Sequence, residues 1–275
     1  MKNLNTVAVW GLGFLCLNLY VNGLPRLFQF QVQHWFGYWL GFFVLTFLVC
    51  RYLLKLKNLR ELAMPRKQGW LGELGVGFLL GFATWALKYI AFWGLGKFSV
   101  DGFTAPSYYL PMLGQALLAM FFAAILNDVS IRGYCYAFCR RAGLMSLFVL
   151  LTTLLYCLDD AWNEGFSLIN TLFSAVLGLS LAYAVYKTGA IWLCTGIHWG
   201  GNIVYRLLYG FSGTGILKLE EVQTGVLYEW LSLFITALLF PLLYLLLRNR
   251  RDPDCMEEAP AENARTLTAS RTHLV

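Results

Sequence analysis

Three short stretches place chemically capable side chains inside apolar surroundings. In Asn127-Asp128-Val129-Ser130-Ile131-Arg132-Gly133-Tyr134 an amide, a carboxylate and a guanidinium interrupt an apolar run. Such residues cost free energy in lipid, so they mark a candidate site. Asp128 and Arg132 are four apart, and on a helix they share a face and can form an intrahelical ion pair. That pairing leaves Asn127 unexplained, and it gives no reason for buried charge where apolar residues would serve as well. The second stretch is Thr152-Thr153-Leu154-Leu155-Tyr156-Cys157-Leu158-Asp159-Asp160. Taken alone, Asp159 and Asp160 read as wet carboxylates at the end of a span, followed by Trp162, Asn163 and Glu164. The third runs from Trp192 to Tyr205, where His198 and Asn202 put an imidazole and an amide on one helix face. His198 alone reads equally well as a packing residue. It is the only imidazole placed mid-membrane, since His34 lies near a boundary and His273 in the tail. A two-His zinc site would therefore need a partner chain.

The elements that must position these residues follow from composition. The 275 residues are 59% apolar, 17% aromatic and only 13% charged, with a mean hydropathy of +0.60. That composition lies outside the soluble range and predicts a polytopic membrane protein. The formal charge of +6 comes from Lys and Arg clustered between apolar runs. That is the pattern of orientation signals, so nucleic acid is excluded as a partner. Seven cysteines, odd in number and scattered, point to core packing rather than a disulfide framework. The first apolar run, from Val7 to Tyr20, has no small-residue cleavage site after it and is expected to be retained.

At ~20 residues per crossing, spans are expected at 5–23, 36–54, 70–94, 106–126, 142–161, 166–186, 190–209 and 224–247. The fold class is therefore all-α, a polytopic membrane helical bundle of about eight transmembrane helices. The basic loop between the second and third spans, with Arg140-Arg141, Lys187 and Arg248, Arg250 and Arg251, places both termini in the cytoplasm. The expected host is the plasma membrane. Residues 1–104 form the N-terminal helices, with a basic loop at 55–69 read as a partly amphipathic surface helix. Residues 105–209 form the core that carries the polar site, 210–247 the last loop and helix, and 248–275 a polar tail expected to be disordered. Gly37 with Gly41, Gly77 with Gly81, and Gly196 with Gly200 are read as points of close helix approach.

Order, spacing and flanks of the three stretches resemble the CPBP family, the CAAX-protease and bacteriocin-processing (Abi) group of intramembrane metalloproteases, over roughly residues 105 to 206. The family pattern has two glutamates, three residues, then Arg, usually followed by Gly; next Phe, three residues, then His; and last His, three residues, then Asn or Asp. Here Asn127 and Asp128 stand for the glutamates and Arg132-Gly133 is kept. Tyr156 stands for the Phe, Asp160 stands at the His position, and His198 with Asn202 is intact. The resemblance implies that the water-activating base would fall on Asn127, the metal- or water-orienting role on Asp160 and His198, and oxyanion stabilisation on Asn202. An amide accepts no proton at neutral pH, and loss of a general base typically lowers a rate by ~100- to 10,000-fold. Asp128 is the nearby substitute, lying about 100° round the helix from Asn127. If the chain is active, zinc held by Asp160 and His198 is the implied cofactor.

The expected function is a CPBP-type membrane protein with lost or altered peptidase chemistry, a pseudoenzyme acting as scaffold, regulator or immunity-type protein. Its partners would be the lipid bilayer and a membrane-embedded peptide or protein. The alternative is an active intramembrane endopeptidase with a site rearranged around Asp128, Asp160, His198 and Asn202. A further alternative is a small transporter or channel using Lys88, Asp128 and Arg132 as a polar path.

Overall fold

In lipid the backbone has no water to bond, so the apolar runs close their hydrogen bonds internally as helices. The computed structural model describes residues 4–28, 32–211 and 213–250. The tail beyond 250, expected to be disordered, lies outside the described residues. Helix α1 (Leu4–Asn18) passes through a π-helical turn at Leu19–Gly23 into α2 (Leu24–Leu27), and α3 (Val32–Leu48) ends in another at Val49–Leu53. After α4 (Trp70–Gly94), α5 (Tyr109–Asp128) continues through a π-helical turn at Val129–Gly133 into α6 (Tyr134–Ala142). Then come α7 (Phe148–Glu164), α8 (Leu168–Thr188), α9 (Trp192–Tyr209), α10 (Val226–Ala237) and α11 (Leu239–Leu247). The break between the last two is set by Pro241, which has no N–H for the Ala237 carbonyl and crowds it with its ring.

Among the described residues six segments are long and apolar enough to cross a membrane: Asn5–Leu27, His34–Leu53, Trp70–Gly94, Pro106–Ala142, Leu168–Thr188 and Val226–Leu247. The shorter α7 and the more polar α9 complete the all-α bundle that the apolar runs predict. A two-stranded antiparallel sheet is the exception. Strand β1 (Phe98–Phe103) pairs with β2 (Leu217–Glu221), Phe98 opposite Glu221 and Phe103 opposite Leu217. It ties together the loops that follow α4 and α9, and nothing in the hydropathy pattern announces it.

Two boundaries differ from those expected. The fourth span does not stop at residue 126, because Asp128 and Arg132 form an ion pair inside the bundle and the helix runs on to Ala142. The fifth helix accordingly starts at Phe148 and ends at Glu164, which sets Asp159 and Asp160 about a turn deeper than the expected end at 161. The basic loop also departs from a surface helix. It forms only a single 3-10 turn at Leu59–Leu62, capped by Asn58, with Leu56 and Leu62 buried. A Cβ at Gly133 would collide with the Leu62 carbonyl, so the Arg-Gly pair is what lets this turn dock. Ile191 N–H donates to Ala63 O at 2.8 Å, Trp192 Nε1 to Pro65 O at 2.8 Å, and Lys67 Nζ to Thr188 O at 2.9 Å.

Helix α4 packs along α9 in parallel. Gly77 lies against Leu193 and Gly196, Gly81 against Ile197, and Gly201 against Trp85. A Cβ at Gly81 would overlap the Ile197 carbonyl and one at Gly200 the Phe78 carbonyl, so the expected close approach is real for these glycines. At Gly37 a Cβ would meet open space, and that pair brings no backbones together.

We expect Gly81→Ala to destabilise the folded protein by about 1–3 kcal/mol through forced separation of α4 and α9, read as a lower midpoint in thermal unfolding, with Gly37→Ala near neutral. The loop gives a pH-dependent case. Partial burial raises the Glu61 carboxyl, but the Lys57 N–H and the Arg141 guanidinium outweigh it and hold the group below its ordinary value. The Arg141–Glu61 contact, 3.0 Å, is therefore stabilising above the unfolded carboxyl pKa and is lost as pH falls through the lower folded value. Melting of wild type against Glu61→Gln should show a gap at pH 7 that closes as pH falls through the lowered folded carboxyl value.

Candidate functional site

The polar residues of the first stretch sit where α5 passes into its π-helical turn. A π turn brings residues five apart into line, so Arg132 reaches both Asp128 and Asn127. Its Nη1 donates to Asp128 Oδ1 at 2.5 Å and to Asn127 Oδ1 at 3.1 Å. Asp128 and Arg132 are both 0% exposed. The Arg132 guanidinium also stacks over the Tyr156 ring of α7, 4.4 Å from its centre. His198 Nδ1 stands 3.7 Å from Asp128 Oδ1, too far for a hydrogen bond.

Asn127 is held from both sides. While its Oδ1 accepts from Arg132, its Nδ2 donates to Asp159 Oδ2 at 2.8 Å. Asp159, 3% exposed, takes two further amide donors from the first span: Asn22 Nδ2 at 2.6 Å, and Asn18 Nδ2. One chain of contacts thus links α1, its π turn, α7, α5 and α9 in the order Asn18/Asn22, Asp159, Asn127, Arg132, Asp128, His198. Asp160 is not in it; its Oδ2 accepts from Ser174 of α8.

A cavity of about 1500 Å³ opens beside this chain. Asn127, Tyr156, Asp159, Asp160, His198 and Asn202 line it, whereas Asp128 and Arg132 do not. The sequence-derived set is therefore divided. Four of its members, Asn127, Asp160, His198 and Asn202, face one cavity, and Asp128 and Arg132 lie sealed behind its wall. Asp159, which reads from sequence as a wet carboxylate, is instead the buried centre of the network, because α7 extends past the expected end. Asn18 and Asn22 escaped sequence reasoning, although two amides four apart in an apolar run were a readable signal.

A zinc ion at a catalytic site takes three protein ligands and keeps a fourth position open. Among the described residues no group of three or more His, Cys, Asp and Glu side chains converges on a point that could hold a metal. Asp160 and His198 alone give two protein donors, one short of the three that such a zinc site takes.

Removing one charge of the buried pair should be costly. Arg132→Met leaves Asp128 unpaired and is expected to destabilise by about 3–5 kcal/mol. The double variant Arg132→Met/Asp128→Leu should recover much of that loss in the same thermal unfolding assay.

No curated protein and no solved structure matches the chain. Residues 109–204 match the family model described as type II CAAX prenyl endopeptidase Rce1-like, from the first turn of α5 through α9, the helices that carry every site residue expected from the sequence. Residues 109–204 are thus similar to the Rce1-like endopeptidase family model, in a chain whose described residues include six segments long and apolar enough to cross a membrane.

Proposed function

We propose that this chain uses its Rce1-like domain to bind a membrane-embedded peptide or protein without hydrolysing it, as a scaffold, regulator or immunity-type protein of the plasma membrane. The observation that carries this reading is the pair Asn127 and Asp128. The residue facing the cavity at the family's water-activating position is an amide, with its oxygen committed to Arg132 and its nitrogen to Asp159. The one neighbouring carboxylate, Asp128, is fully buried behind it in an ion pair. General base catalysis needs a proton acceptor within hydrogen-bond reach of the water, and neither group supplies one. Asp159 faces the cavity but already accepts from three amide donors. The clusters of Lys and Arg favour a topology with both termini in the cytoplasm.

A second reading keeps peptidase activity, since Asp160, His198 and Asn202 face one cavity. In it Asp160 or His198 would activate the water and Asn202, which has no hydrogen-bond partner among the described residues, would stabilise the oxyanion. Purified protein incubated with a farnesylated CAAX-type peptide separates the two. Binding without product, equal in wild type and His198→Ala by mass spectrometry, is the expected result. Release of the C-terminal tripeptide by wild type, reduced ~100-fold or more in His198→Ala, would establish the second reading instead.

A further inference from the structure

Lys88 takes part in none of the contacts above. It lies on α4, is 7% exposed, and makes no hydrogen bond or ion pair among the described residues. Its Nζ lies 4.8 Å from the ring centre of Trp85, 4.9 Å from that of Tyr89 and 5.6 Å from that of Phe173. A lysine near a helix end in a membrane ordinarily snorkels to the interface, but Lys88 lines the cavity. Three aromatic faces stabilise the ammonium ion, yet its three N–H donors have no acceptor.

Arg206 of α9 lines the same cavity. Its Nη1 donates to Gly210 O at 3.0 Å and its guanidinium lies over Phe211, 4.9 Å from the ring centre, while its Nε is buried without a partner. The parallel register of the two helices, Trp85 against Gly201 and Tyr89 against Tyr209, sets Lys88 and Arg206 at one level. That level is ~12 Å along α9 from His198, at ~1.5 Å per residue. Among the described residues no carboxylate of the cavity wall forms an ion pair with Lys88 or Arg206: Asp159 accepts from three amides, Asp160 from Ser174, Glu221 pairs with Lys97 at 3.7 Å, and Glu229 is exposed.

We infer that this cavity takes a single-chain amphiphile with an anionic head group, a carboxylate or a phosphate, seated against Lys88 with Arg206 beside it and its apolar chain among the aromatic side chains. This ligand is additional to the peptide or protein partner proposed above and does not depend on that reading. A neutral head would leave the ammonium donors as they are, and a cationic one would be repelled.

Full-length protein in detergent micelles is titrated with palmitate, hexadecyl phosphate and hexadecanol in competition with a fluorescent fatty acid. Both anions should bind at least ~tenfold more tightly than hexadecanol, as expected for a charge-assisted hydrogen bond. Lys88→Met should weaken both by a similar factor while leaving hexadecanol unchanged, and Lys88→Arg should stay within about threefold of wild type. The tighter anion identifies the head group as fatty acid or lipid phosphate. Equal wild-type affinity for palmitate and hexadecanol, or anion affinities unchanged in Lys88→Met, overturns the inference. Should Lys88→Met no longer bind hexadecanol, the wild-type ratio decides. Cleavage of the farnesylated peptide would end the binding-only role and leave the outcome of this titration standing.

Discussion

A carboxylate buried inside a membrane bundle must be met by donors, and here two carboxylates impose that requirement on five helical segments. Asp128 is answered by Arg132 alone. Asp159 is answered by three amides, two of which arrive from the first span. Asn127 joins the two systems, since its oxygen satisfies the cation of one and its nitrogen the anion of the other. Leaving any of these groups unpaired would cost several kcal/mol in a low-dielectric interior. The positions of α1, α5 and α7 beside the cavity are therefore coupled, and the π turn at Val129–Gly133 is the local distortion that makes the coupling possible.

This arrangement separates scaffold from chemistry. Arg132 and Gly133 keep structural tasks that are visible in the coordinates, the first bridging Asp128, Asn127 and Tyr156, the second admitting the Leu59–Leu62 turn. The same contacts that hold the fold occupy Asn127 and Asp128, the two residues at the glutamate positions of the family pattern. On the cavity wall Asp159 and Asp160 accept hydrogen bonds, whereas Lys88 and Arg206 have no carboxylate partner among the described residues.

Much of the fold was legible because hydropathy alone places the helices, and the glycine pairs on α4 and α9 announce their own contact. Part of the cavity wall was legible, because Asn127, Asp160, His198 and Asn202 stand in readable motifs and face one cavity. What sequence could not give was depth. The fifth helix ends at Glu164 rather than 161, and that small difference turns Asp159 from a wet residue into a buried one. Nor could it show which of two adjacent residues faces the cavity. Asn127 does and Asp128 does not, a consequence of how α5 is rotated by its partners. The sheet between β1 and β2 and the folded-back basic loop rest on long-range contacts with no local signature.

The most direct test of the account is the coupling between Asn127 and Asp159. A double-mutant cycle, Asn127→Leu, Asp159→Leu and both together, measured by reversible SDS unfolding in bicelles, isolates the pairwise free energy. A coupling of about 1–3 kcal/mol is expected, because each single change strands a buried partner that the double change removes. Strictly additive effects would contradict the account, since Asn127 would then be free of the structural duty that keeps it from chemistry.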